Sequence, residues 1–594
     1  MDWTMYMEDE YTEGVEFPIA QFNPSIAITR LVSFAEQSPS GYDTKALYIF
    51  TINYVLGVGC LGVPYGFART GVAFGSFLVV AVTVLAYATV SWVAETVGRA
   101  ERLAAMPCEQ GSKCWICLKE HKENEVNTPL CVPISGGEGV EVKVDVDVGH
   151  KVLGQQVGRG YGSSGRTTKA SKAKTESTDS SNMNWASEKS YEVTELCTKF
   201  LGWRHKVLYQ VSLLALMYVG LLAYSQVFAN SISAAVECDS CSRGLLSVVF
   251  AVIVVPLSCS DLEEQVTVQA MMAVARFLAI FVMVGGSLYA LMFDRIDSQT
   301  SRGRAPFLAP VVTDEEGESL MSYSFAFSGF GVMFSTALFS QLFQHSVPGL
   351  IRPLPEYQKR KVPQVFMKAL ATTMTLYLVL GISAACYFGS STRSSVNLNF
   401  TNFSYGIDLQ EAPEWQVWLV KVLSNVVVLF PAADTLSVFP LIANTLGNNL
   451  STSSPGMTKR IRTLLKGRGW AGEELKTHTA KVNMIIWRLI ASVPPILASV
   501  YAKDLAFSLQ LAGLAGLYVA FICPALLQRA SSNAIKRNFG ETEVWTIYSG
   551  WQSKREVEIV VLVFSLFAFV VVMSQIRTQF LEMVGRGGER ETES

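Results

Sequence analysis

Eleven stretches of this 594-residue chain are apolar and long enough to cross the roughly 30 Å hydrocarbon core of a membrane. In that core every backbone polar group must be hydrogen-bonded within the protein, which restricts spanning segments to helices or closed barrels. The charged fraction of 16% agrees, since soluble domains carry about 25%. The predicted spans are 45–69, 72–98, 206–235, 244–260, 267–293, 321–346, 364–389, 415–445, 483–502, 504–529 and 557–576. We therefore predict an all-α polytopic membrane protein.

Lysine and arginine are concentrated in alternate connections, and this bias predicts which connections face the cytosol. The basic connections are 351–368, 447–481 and 530–556. Connection 390–414 has a single basic residue, Arg393, and carries two glycosylation sequons, at Asn399 and Asn402. We therefore predict that 390–414 is non-cytosolic and glycosylated.

The same bias predicts the position of the segments outside the spans. The amino-terminal tail, 1–44, is predicted to be cytosolic and the tail 577–594 to be non-cytosolic. The first forty or so residues are polar and acidic without an apolar core, so no cleavable signal is expected there. The long loop 99–205 is rich in Lys, Ser, Thr and Gly, and is predicted to be a largely disordered cytosolic linker. Order is expected to return at "SYEVTELCTKFLGW", which has the spacing of a short amphipathic helix. The spans fall into the groups 45–98, 206–293, 321–529 and 557–576.

The first span contains residues that weaken a helix in its middle. The stretch "INYVLGVGCLGVPYGFARTG" includes Gly57, Gly59, Gly62, Pro64 and Gly66. Non-helical backbone at membrane depth is tolerated only where it is buried in protein or lines a cavity. Glycine also serves close packing between helices, so this stretch alone leaves both interpretations open.

A second interrupted span favours a binding site. The sixth span, "SFAFSGFGVMFSTALFSQLFQHSVPGLIRPL", contains the breaking or polar residues Gly329, Gly331, Ser335, Gln341, Gln344, His345, Pro348 and Gly349. Interrupted segments at corresponding places in two halves predict an inverted-repeat transporter. Spans one and six are five apart, as two five-helix repeats plus one extra helix require. The freed N–H groups suit a carboxylate and the freed carbonyls suit an ammonium or small cation, so a zwitterionic amino acid fits.

Several motifs, in order along the chain, resemble the amino acid/auxin permease family. They are "NYVLGVGCLGVPYGFARTG" in the first span, "SYEVTELCTKFLG" before the third, "FPAADTLSVFPLIANTL" in the eighth and "SVPPILASVYAKDLAFSLQLAGLAGLYVAFICPALL" across the ninth and tenth. The stretch "FSQLFQHSVPGLIRPL" resembles most the orphan branch of that family called transmembrane protein 104. The loop 99–190 has no counterpart in this pattern.

The resemblance implies an eleven-helix, LeuT-like inverted-repeat fold and secondary transport of amino acids driven by protons or sodium. By position, the residues around the substrate would be Asn53, Gly57, Gly59 and Gly62. Ser437, with Thr435 beside it, would face the first span where related transporters hold a cation. Asp434 and His345 depart from the pattern of many members, because both are ionisable.

Each remaining candidate has a functional and a structural interpretation. Asp434 lies midway along an apolar span, where a charge is costly; it either couples a proton or cation, or supports its helix through hydrogen bonds. His345 either gates protons or satisfies a helix end. Tyr218, Tyr224 and Ser335 would line the substrate cavity, or simply pack. Glu95 would act in gating, or form an interfacial pair.

Cysteine and histidine spacing offers two weaker possibilities. The "CWICLKEH" segment and a downstream cysteine would hold zinc, although free thiols in a loop are commoner; the residues are Cys114, Cys117, His121 and Cys131. Cys238 and Cys241 in "CDSC" would form a local disulfide on the non-cytosolic side. We predict no metal site and no cofactor beyond a coupled proton or sodium ion.

Two other functions are weighed against transport. A receptor that senses an amino acid in the same pocket would signal through loop 99–205, which is dense in phosphorylatable residues and would bind cytosolic partners. An enzyme is not expected, because the spans carry no nucleophile–base set and no phosphate-binding loop. The expected partners are an amino acid and the lipid bilayer, without nucleic acid. The membrane would be the plasma membrane or an endolysosomal or vacuolar one.

Overall fold

The structure is a computed structural model that describes residues 42–105, 191–236, 242–259, 266–293, 325–405, 407, 412–467, 472–502, 504–541 and 544–592. Across these ranges the chain is helical and has no β-strand. The amino-terminal tail, the centre of loop 99–205 and all the residues of the two cysteine motifs lie outside the described ranges, and those predictions stay as they are.

The α-helices of the described ranges are numbered in chain order. The first nine are α1 (Thr44–Val55), α2 (Gly59–Thr70), α3 (Val72–Ala104), α4 (Val193–Phe200), α5 (Trp203–Val236), α6 (Arg243–Cys259), α7 (Val266–Phe293), α8 (Phe330–Ser340) and α9 (Val347–Ile351). The others are α10 (Glu356–Lys359), α11 (Val362–Phe388), α12 (Glu414–Ser453), α13 (Pro455–Gly467), α14 (Gly472–Tyr501), α15 (Leu505–Leu517), α16 (Cys523–Phe539) and α17 (Arg555–Thr592). A π-helical turn, Tyr518–Ile522, joins α15 to α16.

Eight helical stretches of the described residues are long and apolar enough to cross a membrane, or nine if the bent pair α1 and α2 counts as one. The protein is therefore an all-α integral membrane protein. The fourth predicted span forms a helix of only 17 residues, α6, and the sixth forms α8, of 11 residues. These two helices are too short to be counted among the eight spanning stretches.

The first predicted span is two helices with a 58° bend between them. Helix α1 begins at an Asp43 N-cap, whose carboxylate accepts a hydrogen bond from the Ala46 N–H at 2.8 Å. It ends at Val55, and the chain re-enters helix at Gly59. Pro64 lies inside α2 without breaking it. The interruption therefore covers residues 56–58, at the first of the predicted glycines.

The sixth predicted span is also interrupted, but later than its glycines suggest. Helix α8 ends at Ser340, and residues 341–343 separate it from a 3-10 turn, Gln344–Ser346, that leads into α9. Gly331 and Ser335, predicted as part of the interruption, lie inside α8, and Pro348 and Gly349 lie inside α9, so the prediction is wrong for these four. The helix stops before Gln341, the first of the large polar residues of this span.

The two interrupted spans lie at the centre of the bundle. Helix α2 packs against α8 and α11, and α11 also packs against α1 and α7. Helix α12 packs against α5, α7 and α14. The break between α1 and α2 is therefore surrounded by α5, α7, α11 and α12, which supply the side chains described below.

Connections assigned by charge to one membrane side meet at one end of the bundle. The Thr44 N–H donates to Gln358 Oε1 of connection 351–368 at 3.0 Å, and Arg99 Nε of segment 99–205 donates to the Val544 carbonyl of connection 530–556 at 3.2 Å. At the other end, the Asn397 amide of connection 390–414 donates to Ser231 Oγ at 2.9 Å. Which end faces the cytosol remains a prediction.

Candidate binding site at the break in the first span

The break leaves main-chain carbonyls of α1 without helical partners. The last turn closes with a hydrogen bond from the Leu56 N–H to the Ile52 carbonyl at 2.8 Å, and the Gly57 N–H turns back to the Val55 carbonyl at 2.9 Å. The carbonyls of Asn53 and Leu56 then point away from the helix ladder. Buried carbonyls need donors, so the break requires donors from elsewhere in the chain.

Arg276 on α7 supplies them. Its Nη1 donates to the Asn53 carbonyl at 3.3 Å, to Asn53 Oδ1 at 3.1 Å and to the Leu56 carbonyl. Its Nη2 forms an ion pair with Asp434 Oδ1 on α12 at 2.6 Å. The guanidinium thus ties the broken end of α1 to α12.

The ion pair is buried: Arg276 is 4% exposed and Asp434 is 6% exposed. Removing two charges from water is costly, so such a pair is only weak grounds for a stabilising role. Charges of this kind inside membrane segments mark binding or translocation sites by default. We therefore treat the pair as part of the candidate site.

Tyr377 on α11 connects the two interrupted spans. Its hydroxyl lies 2.9 Å from the Val55 carbonyl at the end of α1 and 3.0 Å from the Ser340 carbonyl at the end of α8. The hydroxyl has one proton, so it donates fully to one carbonyl at a time or shares the proton between them. The Tyr377 side chain therefore contacts the ends of both α1 and α8.

A cavity of about 20 Å³ lies beside the ion pair. This volume holds about one water molecule. Its lining residues are Gly57, Val58, Cys60, Leu61, Val227, Arg276, Phe430, Pro431, Asp434 and Thr435. The two interrupted spans together predict a binding site, and the cavity lies between the α1–α2 break and helices α5, α7 and α12. In this conformation it does not accommodate an amino acid.

Four of the residues predicted for the site meet here. Asn53 holds the guanidinium, and Gly57, Asp434 and Thr435 line the cavity. Thr435 Oγ1 donates to the Ala432 carbonyl of its own helix at 2.7 Å, so it turns toward its helix backbone. The structure thus brings together two substrate candidates, one at the end of α1 and one within the break, and two ion-coupling candidates.

The other predicted side chains lie apart from the cavity. The Tyr218 hydroxyl donates to the Ile490 carbonyl of α14 at 2.8 Å. Ser335 is fully buried where α8 meets Gly513 of α15. Ser437 Oγ donates to the Asp434 carbonyl at 2.9 Å. His345 lies in the 3-10 turn Gln344–Ser346. Of the third-span tyrosines, it is Tyr224 that approaches the break.

Gly59 and Gly62 serve helix packing. A Cβ at Gly59 would lie 3.1 Å from the Ser340 Cα and closer still to its Oγ, and one at Gly62 would meet Leu509 and Thr336. The close-packing interpretation therefore applies to both. A bulky residue at Gly59 would separate α2 from α8, so loss of activity in such a variant says nothing about substrate.

The predicted glycosylation sites differ in their surroundings. The side chain of Asn399 is engaged twice: Nδ2 donates to the Ser391 carbonyl at 3.0 Å, and Oδ1 accepts from the Arg393 N–H at 2.9 Å. Asn402 is exposed and has φ 56°, a left-handed conformation that asparagine tolerates. Glycosylation of both remains a prediction.

Replacing Tyr377 with phenylalanine tests how strongly its hydroxyl holds the two helix ends. We expect a loss of about 1–3 kcal/mol in unfolding free energy, because a buried carbonyl is left without a donor. Tyr209 is the matched control, since it is equally buried and its hydroxyl has no partner among the described residues. Tyr209→Phe should leave thermal melting of the detergent-purified protein nearly unchanged. Equal losses in the two variants would contradict the bridging role.

Comparison with known proteins supports an integral membrane protein. No protein-family model matches this chain. It is 21% identical over 507 residues to the Transmembrane protein 104 homolog of Dictyostelium discoideum, covering 84% of this chain and 90% of that protein. It is 24% identical over 284 residues to Transmembrane protein 104 of Homo sapiens, covering 47% of this chain and 46% of that protein. The chain thus aligns with about half the length of the human relative.

Among solved structures, the chain is similar to MhsT in complex with L-phenylalanine, with a TM-score of 0.44 and 10% identity, covering 89% of this chain and 98% of that one. This similarity is too low to support an argument about the site. The relatives carry no more specific name than Transmembrane protein 104, and none is named as an amino acid/auxin permease. The chain is an integral membrane protein similar in sequence to Transmembrane protein 104.

Proposed function

We propose that this protein is a secondary active transporter of amino acids that works by alternating access around the α1–α2 break. One observation carries the proposal: main-chain carbonyls freed at a helix break face a buried ion pair and a small cavity at the centre of a membrane bundle. Irregular backbone inside a membrane is expected only where it is buried or lines such a cavity. The proposal includes a LeuT-like arrangement of two five-helix repeats, which the interrupted first and sixth spans support.

The break offers complementary charge to both ends of an amino acid. The carbonyls at the end of α1 carry the negative end of a helix dipole and suit an ammonium group. The start of α2 presents N–H groups that suit a carboxylate. The cavity of about 20 Å³ is too small for this ligand, so binding requires α1 to move relative to α2. The 58° bend supplies a natural hinge for that movement.

Uptake into liposomes tests the proposal. The purified full chain is reconstituted, and the uptake of each of the standard amino acids, radiolabelled, is measured under a proton gradient and, separately, a sodium gradient. We expect saturable, gradient-dependent uptake of at least one of them. No uptake of any amino acid under either gradient would refute transport. A ligand-dependent rise in melting temperature without uptake would instead favour a sensing receptor.

Gly57→Val is expected to abolish that uptake. A Cβ at position 57 would lie 3.0 Å from the Tyr224 hydroxyl, and the side chain would fill the cavity that Gly57 lines. The φ of Gly57 is not in the left-handed region, so valine is tolerated by the backbone. Gly285→Val on α7 is the control, because nothing lies within 4 Å of a Cβ there. Normal uptake by Gly57→Val protein would place the substrate elsewhere.

A further inference from the structure

We propose that Arg276 is a cation built into the binding site, occupying the place at the helix break that a free inorganic cation would otherwise hold. It follows that the protein neither binds nor requires sodium there. The inference concerns the same site as the proposed function, and only the uptake measurement described below rests on that function.

The surroundings of the guanidinium are those of a hard cation. It meets four oxygens: the Asn53 carbonyl and side-chain amide of α1, the Leu56 carbonyl just after α1, and one carboxylate from α12. Carbonyl, amide and carboxylate oxygens are the ligands that Ca²⁺ and similar hard cations take in proteins. The carbonyls are available only because α1 ends at Val55.

The charge balance excludes an added inorganic cation beside Arg276, whereas a zwitterionic amino acid brings no net charge to the site. Among the described residues, the other ionisable side chains that interact with the pair are Cys60, Tyr224 and Tyr377, which ordinarily are uncharged at neutral pH. Arg276 and Asp434 therefore sum to zero, and an added sodium ion would leave the buried site with an uncompensated positive charge. Buried unpaired charges are strongly unfavourable.

Removing the guanidinium should turn the same oxygens into a true cation site. Arg276→Ala leaves one carboxylate and three other oxygens around a space the size of a guanidinium group, with a net charge of −1. Such a site attracts a monovalent cation or free guanidinium. The double variant Arg276→Ala/Asp434→Ala keeps the space but removes the charge, and so separates cation binding from simple refilling of a cavity.

The test is thermal melting of detergent-purified full-length protein in sodium, potassium, guanidinium and choline chlorides at equal, low millimolar concentration. The wild-type protein should melt at the same temperature in sodium as in choline. Arg276→Ala should show a saturable rise in melting temperature with guanidinium or sodium, and the double variant should lose that rise. A sodium-specific rise in the wild-type protein, or no cation response in Arg276→Ala, would overturn the proposal.

Two further measurements keep the outcome decisive. Should Arg276→Ala fail to fold, Arg276→Lys retains a compact positive charge, and we expect it to fold and to melt independently of sodium, as the wild-type protein does. In liposomes, wild-type uptake should be equal in sodium and in choline. Sodium-driven uptake would refute the built-in cation and leave the transport proposal standing. If there is no uptake but the melting responses are as expected, transport is refuted and the built-in cation stands.

Discussion

Asp434→Ala is expected to lower the free energy of unfolding by about 3–5 kcal/mol, the typical result of removing one partner from a buried ion pair. Arg276 would be left as an uncompensated charge, 4% exposed, in contact with only the carbonyl and amide oxygens of α1. A folded protein has a total stability of about 5–15 kcal/mol, so the loss is a large fraction of it. Equilibrium unfolding in mixed micelles, followed by circular dichroism, measures the change.

The double variant Arg276→Met/Asp434→Leu distinguishes the cost of an unpaired buried charge from the cost of lost side-chain packing. With both charges gone, no buried charge is left unpaired, and replacing a buried pair by apolar residues is often neutral or stabilising. We therefore expect the double variant to recover most of the stability that Asp434→Ala loses, while losing transport because the break has no cation. A double variant as unstable as Asp434→Ala would show that the effect comes from packing on α12 and not from charge.

Asp434 is identified from the sequence, but its partner Arg276 is not. Asp434 attracts notice because it is a charge in an apolar run, and Arg276 satisfies the same criterion within the fifth predicted span. Applying that criterion to every span would have found it. What the sequence does not contain is the pairing, because 158 positions separate the two residues and only the packing of α7 on α12 brings them together.

The interruptions illustrate a second limit. Glycine spacing predicts a break in the first span, and the chain breaks at Gly57, yet Gly59 and Gly62 continue as helix and serve packing. Glycine has two uses in membrane helices, and only the neighbouring surface decides between them. Tyr377 gives no signal at all, since a tyrosine in an apolar run is ordinary; its role depends on two helix ends that the sequence does not position.

A second buried ion pair lies away from the break, where α3, α16 and the connection before α17 meet. Arg99 Nη2 is 2.6 Å from Glu95 Oε2, and the two side chains are 2% and 0% exposed. Glu95 also accepts from Gln528 Nε2 at 3.0 Å and from Ser553 Oγ at 2.5 Å. Arg99 donates in turn to Gln528 Oε1 and to the Val544 carbonyl. Glu95, weighed from sequence between a gating role and a pair, is thus paired.

Glu95→Ala is expected to cost about 3–5 kcal/mol, because it removes the one carboxylate of a closed network and leaves Arg99 as a buried charge. Glu356→Ala is the matched control. Glu356 pairs with Lys359 at the same 2.6 Å, but its side chain is 84% exposed. Lys359 is 14% exposed, but a pair that is open to water at its carboxylate contributes about 0–1 kcal/mol, so the control should melt close to the wild-type protein.

Comparing Glu95→Gln with Glu95→Ala also distinguishes a structural role of Glu95 from a role in gating. A structural network predicts that Glu95→Gln, which retains an acceptor for Ser553, falls between the wild-type protein and Glu95→Ala in stability, with transport reduced only as far as folded protein is lost. A gating role predicts that Glu95→Gln changes the uptake rate per folded molecule at unchanged melting temperature. Two pairs with the same N–O distance, one with a buried and one with an exposed carboxylate, then show whether desolvation of the carboxylate, and not distance, sets the energy of the pair.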